Sequence, residues 1–325
     1  MKNALENHPY IQSIIDLNEK HTNRHLFHKN CNALLLKMGQ DKSFLNLLIQ
    51  RNLLDEGFLN QQWSLYHIPY LLIYENADFN LKIHLFTPLE KKESAIAASC
   101  IHHHNNYLLS SFAFHGSGYE SIIFNKDFSY NIAQNEAKFS IAKHFHQKDW
   151  PISFVDAWEP HLVFNPENLS ATLILWTPDK KRKTDLLRQN RILKFFKKPL
   201  RKIINLLGLA QSAGIANSQT YQFYPEDYKI RGILEDEFFA PTRKAVGADV
   251  DEYSVQTIFK FIQEGSYLEK QWVKNNIEKW PLVYQKFANM YLNNEPIPAI
   301  FAKSSINIPQ KSFNKTDVLT AIKNA

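Results

Sequence analysis

Hydrophobic and polar positions along the chain fall into distinct regimes. From residue 10 to 62 the apolar positions recur near helical spacing, with Ile11, Ile14, Ile15 and Leu17 first and the run Phe44-Leu45-Asn46-Leu47-Leu48-Ile49 later. Asp41 stands where an N-cap belongs ahead of that run, and Glu56-Gly57 supplies a stop or kink. From 65 to 178 the pattern shortens to strand-length runs at 70–74, 81–86, 95–104, 107–114, 119–124, 137–145, 152–155, 161–164 and 171–176. Asn, Asp, Pro and Gly fill the connections. Many short strands at regular spacing predict a sandwich or barrel. Beyond 225 helical spacing returns, over 254–263 and 267–279, with loops at Pro281, Pro296 and Pro298.

Between these regimes the character changes abruptly. Lys180-Lys181-Arg182-Lys183 opens a segment to Lys202 with 11 Lys or Arg against one acid, Asp185. Leu186, Leu187, Leu193, Phe195, Phe196 and Leu200 are interleaved, so the segment reads as a basic amphipathic helix, broken at Pro199. The small residues of 210–218 follow as a linker. The division is therefore a helical segment at 1–64, a barrel at 65–179, the basic helix and linker at 180–218, and a mostly helical C-terminal region at 219–325.

Composition narrows this picture. The chain has 325 residues, 44% of them hydrophobic, enough for one large or two modest cores. Its 23 Phe, 14 Tyr and 6 Trp suit a β-rich interior. Only Cys31 and Cys100 are present, so no disulfide framework is implied and a reducing, cytoplasmic setting is expected. The first residues lack the apolar stretch of a secretory signal. No run approaches the ~20 apolar residues of a membrane span. A net charge of +6 is mild for this length, and nothing points to nucleic acid. The segment Lys180 to Lys202 has three readings: a solvated helix packed on the barrel, a contact for an acidic partner such as a carrier protein or an anionic substrate, or membrane-surface association. The first is preferred.

The chemistry concentrates in histidine. Of 13 histidines, seven lie between His102 and His161 and none follows. In a strand, His102 and His104 share a face while His103 points away. His161, opening His161-Leu162-Val163-Phe164-Asn165, is the natural third imidazole. Asn165 can be read as closing a turn. His115-Gly116-Ser117-Gly118 supplies a glycine turn after the strand that follows the triplet. The rival pair His144-Phe145-His146 leads into Gln147-Lys148-Asp149-Trp150-Pro151 and reads as a strand running into a loop. Gly116-x-Gly118 is too short for a dinucleotide fingerprint, and no P-loop, nucleophile elbow or paired-cysteine zinc motif occurs.

His-x-His, a glycine turn and a later His-x-x-x-Asn together resemble the two-motif signature of cupin barrels. Within that superfamily the sequence resembles the cysteine dioxygenase-like, three-histidine non-haem iron enzymes. Phe79-Asn80-Leu81-Lys82-Ile83 is similar to their strand before the metal motif, and Ile101-His102-His103-His104 to their Ile-His-Asp-His. Thr172-Leu173-Ile174-Leu175-Trp176-Thr177-Pro178 is similar to their closing Leu-His-Leu-Tyr-Ser-Pro. The likeness spans residues 74–178. It implies a mainly β cupin (double-stranded β-helix) barrel with N-terminal helices and a mostly helical C-terminal region. It also implies Fe(II) held by His102, His104 and His161, and pocket walls at Tyr107, Leu109, Ile174 and Trp176.

The departures matter equally. The family's substrate-clamping Arg is matched by Glu75-Asn76-Ala77-Asp78, its crosslinking Cys by Leu109, and its catalytic His and Tyr by Ile174 and Trp176. The expectation is an Fe(II)- and dioxygen-dependent oxygenase whose small organic substrate is not free cysteine, with Lys82 or the C-terminal region as an alternative source of a cation. A non-enzymatic cupin sensor or binding protein, and an oxygen-independent metal-dependent isomerase or lyase, stand as alternatives.

Overall fold

A computed structural model of the chain describes residues 5–55, 68–89, 100–104, 106–131, 133–178, 220–224, 229–233, 249–301, 316 and 319–320. The basic segment of 180–202 and its linker lie outside the described residues.

Three helices come first: α1 (Pro9–Lys20), α2 (Arg24–Gln40) and α3 (Lys42–Leu53). Each is capped by a side chain. His8 accepts from the Tyr10 amide, Asn23 from those of His25 and Leu26, and Asp41 from those of Ser43 and Phe44. Each cap satisfies amide groups that the first helical turn leaves unpaired.

Strands follow: β1 (Tyr70–Glu75), β2 (Asn80–Phe86), β3 (Cys100–His102), β4 (Leu108–His115), β5 (Glu120–Phe124), β6 (Ser129–Asn131), β7 (Glu136–Lys138), β8 (Ile141–His146), β9 (Ser153–Val155), β10 (His161–Phe164) and β11 (Ser170–Thr177). The expected run 137–145 is interrupted after Lys138, and β6 and β7 form a small polar hairpin. Beyond the basic segment come β12 (Thr220–Tyr224) and β13 (Lys229–Ile233), then helices α4 (Asp249–Gly265), α5 (Lys270–Asn276) and α6 (Leu282–Leu292). The hairpin β12–β13 lies within a region whose periodicity reads as helix.

Strand order defines the architecture. One sheet runs β1-β2-β11-β4-β9, the other β6-β7-β13-β12-β3-β10-β5-β8. Take β2, β3, β4, β5, β8, β9, β10 and β11 as the first to eighth strands of a barrel. The sheets then contain 1-8-3-6 and 2-7-4-5, which is the jelly-roll order of a cupin barrel. The expected fold, a β-barrel with flanking helices, is therefore present, with β12–β13 added beside β3.

Alternation along the five-stranded sheet sorts its two faces. Leu81, Ile83 and Leu85 of β2 and Ala171, Leu173 and Leu175 of β11 are buried in one core with side chains from α1 through α6. Leu109 of β4 and Ile174 of β11 face the other way, into a barrel interior shared with Ile123, Phe145 and Val155. Helix α2 lies so close to β4 that a Cβ on Gly39 would come within 2.8 Å of the Phe112 ring. Gly116, at φ +74°, turns β4 toward β5 where a Cβ would stand 2.1 Å from the Leu169 carbonyl oxygen. Only glycine fits such a conformation and approach. Among the described residues no helix is long and apolar enough to cross a membrane.

Candidate metal centre

Two adjacent antiparallel strands build the site. His102 ends β3 and His161 opens β10, and the two are direct cross-strand partners. His104 lies two residues past the end of β3. The three rings converge: centroids are 4.3 Å apart for His102–His161, 4.5 Å for His104–His161 and 5.2 Å for His102–His104. One ring nitrogen from each lies within 4.8 Å of the other two. The structure thus brings together the three histidines that the sequence pattern singled out.

Burial favours the neutral form of His104 and His161. Burial draws His161 down to about 4, against a partial upward pull from its backbone hydrogen bond. His104 is lowered by burial first and then by the neighbouring histidines. Neutral imidazole is the form that binds a metal ion. His161 Nδ1 donates to the Glu159 carbonyl oxygen at 3.1 Å, which fixes the tautomer and leaves Nε2 as the donor atom. His104 Nδ1 is buried without a hydrogen-bond partner, the state of a donor atom whose acceptor is not a protein group. Three convergent imidazoles, two of them held neutral by burial, could hold a divalent transition-metal ion.

A turn prepares His161. Asp156 donates its amide to the Glu159 carboxylate at 2.8 Å, and the Glu159 amide reaches back to the Asp156 carbonyl at 3.3 Å. Trp158 within it sits at φ +62°, a conformation that costs an ordinary residue about 1–2 kcal/mol. That turn presents the Glu159 carbonyl to His161 and places the Trp158 ring 5.3 Å from His103. His103 is buried, points away from the cluster, and is drawn down to about 4 by burial alone.

The residues expected to wall a pocket occupy graded positions. Leu109 and Ile174 are buried together in the barrel interior, and Trp176 packs against them. The Trp176 ring lies 4.4 Å from His104 and 6.0 Å from Tyr107, which is 39% exposed at the rim. The other histidines do different work. His144 pairs with Glu120 on β5, and His146 accepts from the Lys148 amide. His115 bonds Glu264 and Tyr267, tying β4 to α4 and the turn after it. Asn165 donates to the Thr87 carbonyl and so holds the chain after β10 against the end of β2.

Two supporting residues escaped the sequence reading. Arg24 Nη1 donates to the carbonyls of Asn106 and Thr177, at 2.6 and 3.0 Å. One helical turn on, His28 bridges Ser110 Oγ and Thr177 Oγ1, at 2.7 and 2.8 Å. Helix α2 thereby holds the loop after His104 and the strand end after Trp176. Their i, i+4 spacing was the signal, but it looks like any helix face.

No family model matches the chain, and no curated protein matches it. Among similar solved structures is the cupin domain of Schizosaccharomyces pombe Cnp3, at 11% identity over 37% of this chain and 67% of that one, TM-score 0.24. DMSP lyase DddQ from Ruegeria pomeroyi shows 10% identity over 39% of this chain and 60% of that one, TM-score 0.24. A double-stranded β-helix protein from Klebsiella pneumoniae shows 10% over 37% and 85%, TM-score 0.22. Likenesses this slight carry no functional argument, and the jelly-roll assignment stands on strand order.

Proposed function

We propose that this protein is a mononuclear non-haem iron oxygenase acting on a small organic substrate. The observation that carries the reading is the convergence of His102, His104 and His161 to within 4.8 Å at one end of a jelly roll. Fe(II) held by this set would supply a dication with positions left over for a substrate donor and dioxygen. Three neutral ligands leave that charge uncancelled, which favours an anionic donor from the substrate.

The chain's own residues then bind, orient and exclude water. Glu159 holds His161 in its metal-facing tautomer through the backbone. Leu109, Ile174 and Trp176 form an apolar wall beside the cluster, with Tyr107 at its rim. Arg24 and His28 fix the segments that carry His104 and Trp176. The expectation that free cysteine is not the substrate rests on Glu75-Asn76-Ala77-Asp78, which stands where the resembling family has its carboxylate-clamping Arg, and on Ile174 and Trp176, which cannot make the hydrogen bonds of the His and Tyr they replace in that family.

The test is metal content and oxygen uptake of protein purified without oxygen and loaded with Fe(II). One iron per chain and oxygen consumption with some member of a thiol, amine and hydroxy-acid panel are expected. Stoichiometric metal with product formation but no oxygen uptake would replace the oxygenase with a lyase or isomerase. Neither metal nor turnover would leave a binding protein.

A further inference from the structure

Strand β2 has two unlike faces. Leu81, Ile83 and Leu85 are fully buried against the helices. Asn80, Lys82 and His84 alternate with them and face the opposite side, toward the barrel. Their cross-strand partners on β11 are Trp176, Ile174 and Thr172. Trp176 touches the metal cluster through His104, and Ile174 packs with Leu109, Ile123, Phe145 and Val155. The polar column of β2 therefore stands one strand away from the wall of the candidate metal site.

Lys82 is the anomaly in that column. It is partly buried, with Ile174 opposite it on one side and Leu72 on the other. Its ammonium lies 4.4 Å from the centroid of the Tyr70 ring and has no hydrogen-bond or ion-pair partner among the described residues. Burial lowers its pKa, with Glu75 pulling the other way through space. Next to it, Asn80 Oδ1 is buried and accepts no hydrogen bond. A partly buried cation whose close contact is a ring face rather than an anion, and an unpaired acceptor two residues away on the same inward face, each carry a desolvation cost that a suitable ligand reduces.

We propose that Lys82 and Asn80 form the ligand-orienting subsite of this barrel, and that it takes a small organic acid. The ligand's carboxylate meets the Lys82 ammonium, and a hydroxyl, amine or amide N–H on the same ligand donates to Asn80 Oδ1. The proposal rests on the reading of the barrel interior as the substrate site. It names the substrate class: an organic anion with a hydrogen-bond donor and an apolar portion that fits against Ile174 and Trp176. A single lysine gives one charged contact without the fixed fork of an arginine, so the second contact at Asn80 is what sets orientation.

The experiment is calorimetric titration of the full-length protein with matched ligands: pentanoate, 4-hydroxypentanoate and their neutral amides. It is run on metal-loaded protein and again after chelation. Each carboxylate is expected to bind roughly tenfold or more tightly than its amide in both forms, as a charge-assisted contact should. Lys82→Met should abolish that preference at unchanged metal content, and Lys82→Arg should keep it. Asn80→Ala should weaken 4-hydroxypentanoate and leave pentanoate alone. Equal binding of acid and amide by the wild type, survival of the preference in Lys82→Met, or no binding of any member at millimolar concentration would each overturn the proposal. The wild-type comparison needs no variant to fold. Metal content is read separately, so failure of the iron reading and failure of the subsite are distinguishable.

Discussion

Three consecutive histidines follow Ile101, and they do not share a fate. His102 and His104 meet His161, while His103 turns away onto Trp158. The period of two along an extended chain made this legible from sequence, and it persists although β3 ends at His102. What separates His103 from the candidate ligands is the face, since burial lowers its pKa just as it lowers those of His104 and His161. Replacing His102, His104 or His161 by Ala is therefore expected to remove most bound metal, whereas His103→Ala should keep it and lose only packing against Trp158. Elemental analysis of the four variants reads this directly. Equal loss from His103→Ala, or full retention in His161→Ala, would end the assignment. Asn165 shows the limit of motif reading at this scale. Its place four residues after His161 marks a motif, but its amide is spent on the Thr87 carbonyl.

At the scale of elements, α2 does more than cover the sheet. Arg24 and His28 cross from the helix to segments 82 to 153 residues later, and no local periodicity encodes contacts at such separations. The helix itself, its Asn23 cap and its apolar face are written locally. Its tie to the site is not. The same holds for β12, whose Thr220 pairs with His102 on the side opposite His161, from a region that reads as helix. His28 also makes α2 sensitive to acid. Burial, reinforced by Arg24 and His25, draws its pKa from 6.5 to about 3. The folded state thus refuses a proton that the unfolded chain takes up below pH 6.5. Stability is complete above that value and is lost as pH falls toward 3. Between pH 7 and 5 the loss from this one group is about 2 kcal/mol. Urea denaturation of His28→Gln should show a smaller difference between those two pH values than the wild type. An unchanged difference would mean that His28 is not buried neutral.

For the whole molecule, the helices from both ends of the chain meet on one surface. Side chains of α1–α3 and α4–α6 share a single core with the outer face of β2 and β11, so the helices are not separable from the barrel. Periodicity shows each helix as amphipathic without showing what its face lies against, which is why barrel and C-terminal helices looked like separate regions in the sequence. Phe261 of α4 stands at the join. It is fully buried, and its ring lies 6.1 Å from Phe114, 5.2 Å from His115 and 4.6 Å from Tyr267. His115, on the barrel side, bonds Glu264 one turn further along α4. Phe261→Ala is expected to cost about 3–5 kcal/mol, the usual range for emptying a buried aromatic position. If the core is continuous, that loss spreads. Hydrogen exchange should accelerate in peptides covering β4 and β11 as well as those covering α4 and α6, because exchange from the barrel strands proceeds through an opening that α4 also stabilises. Faster exchange confined to the helical peptides would mean that the barrel holds itself together and that the C-terminal helices are an appendage. Spread into β4 would show that the strand following the His102–His104 segment is braced by a helix far downstream, with the His115–Glu264 contact, 149 residues apart in sequence, as the physical link.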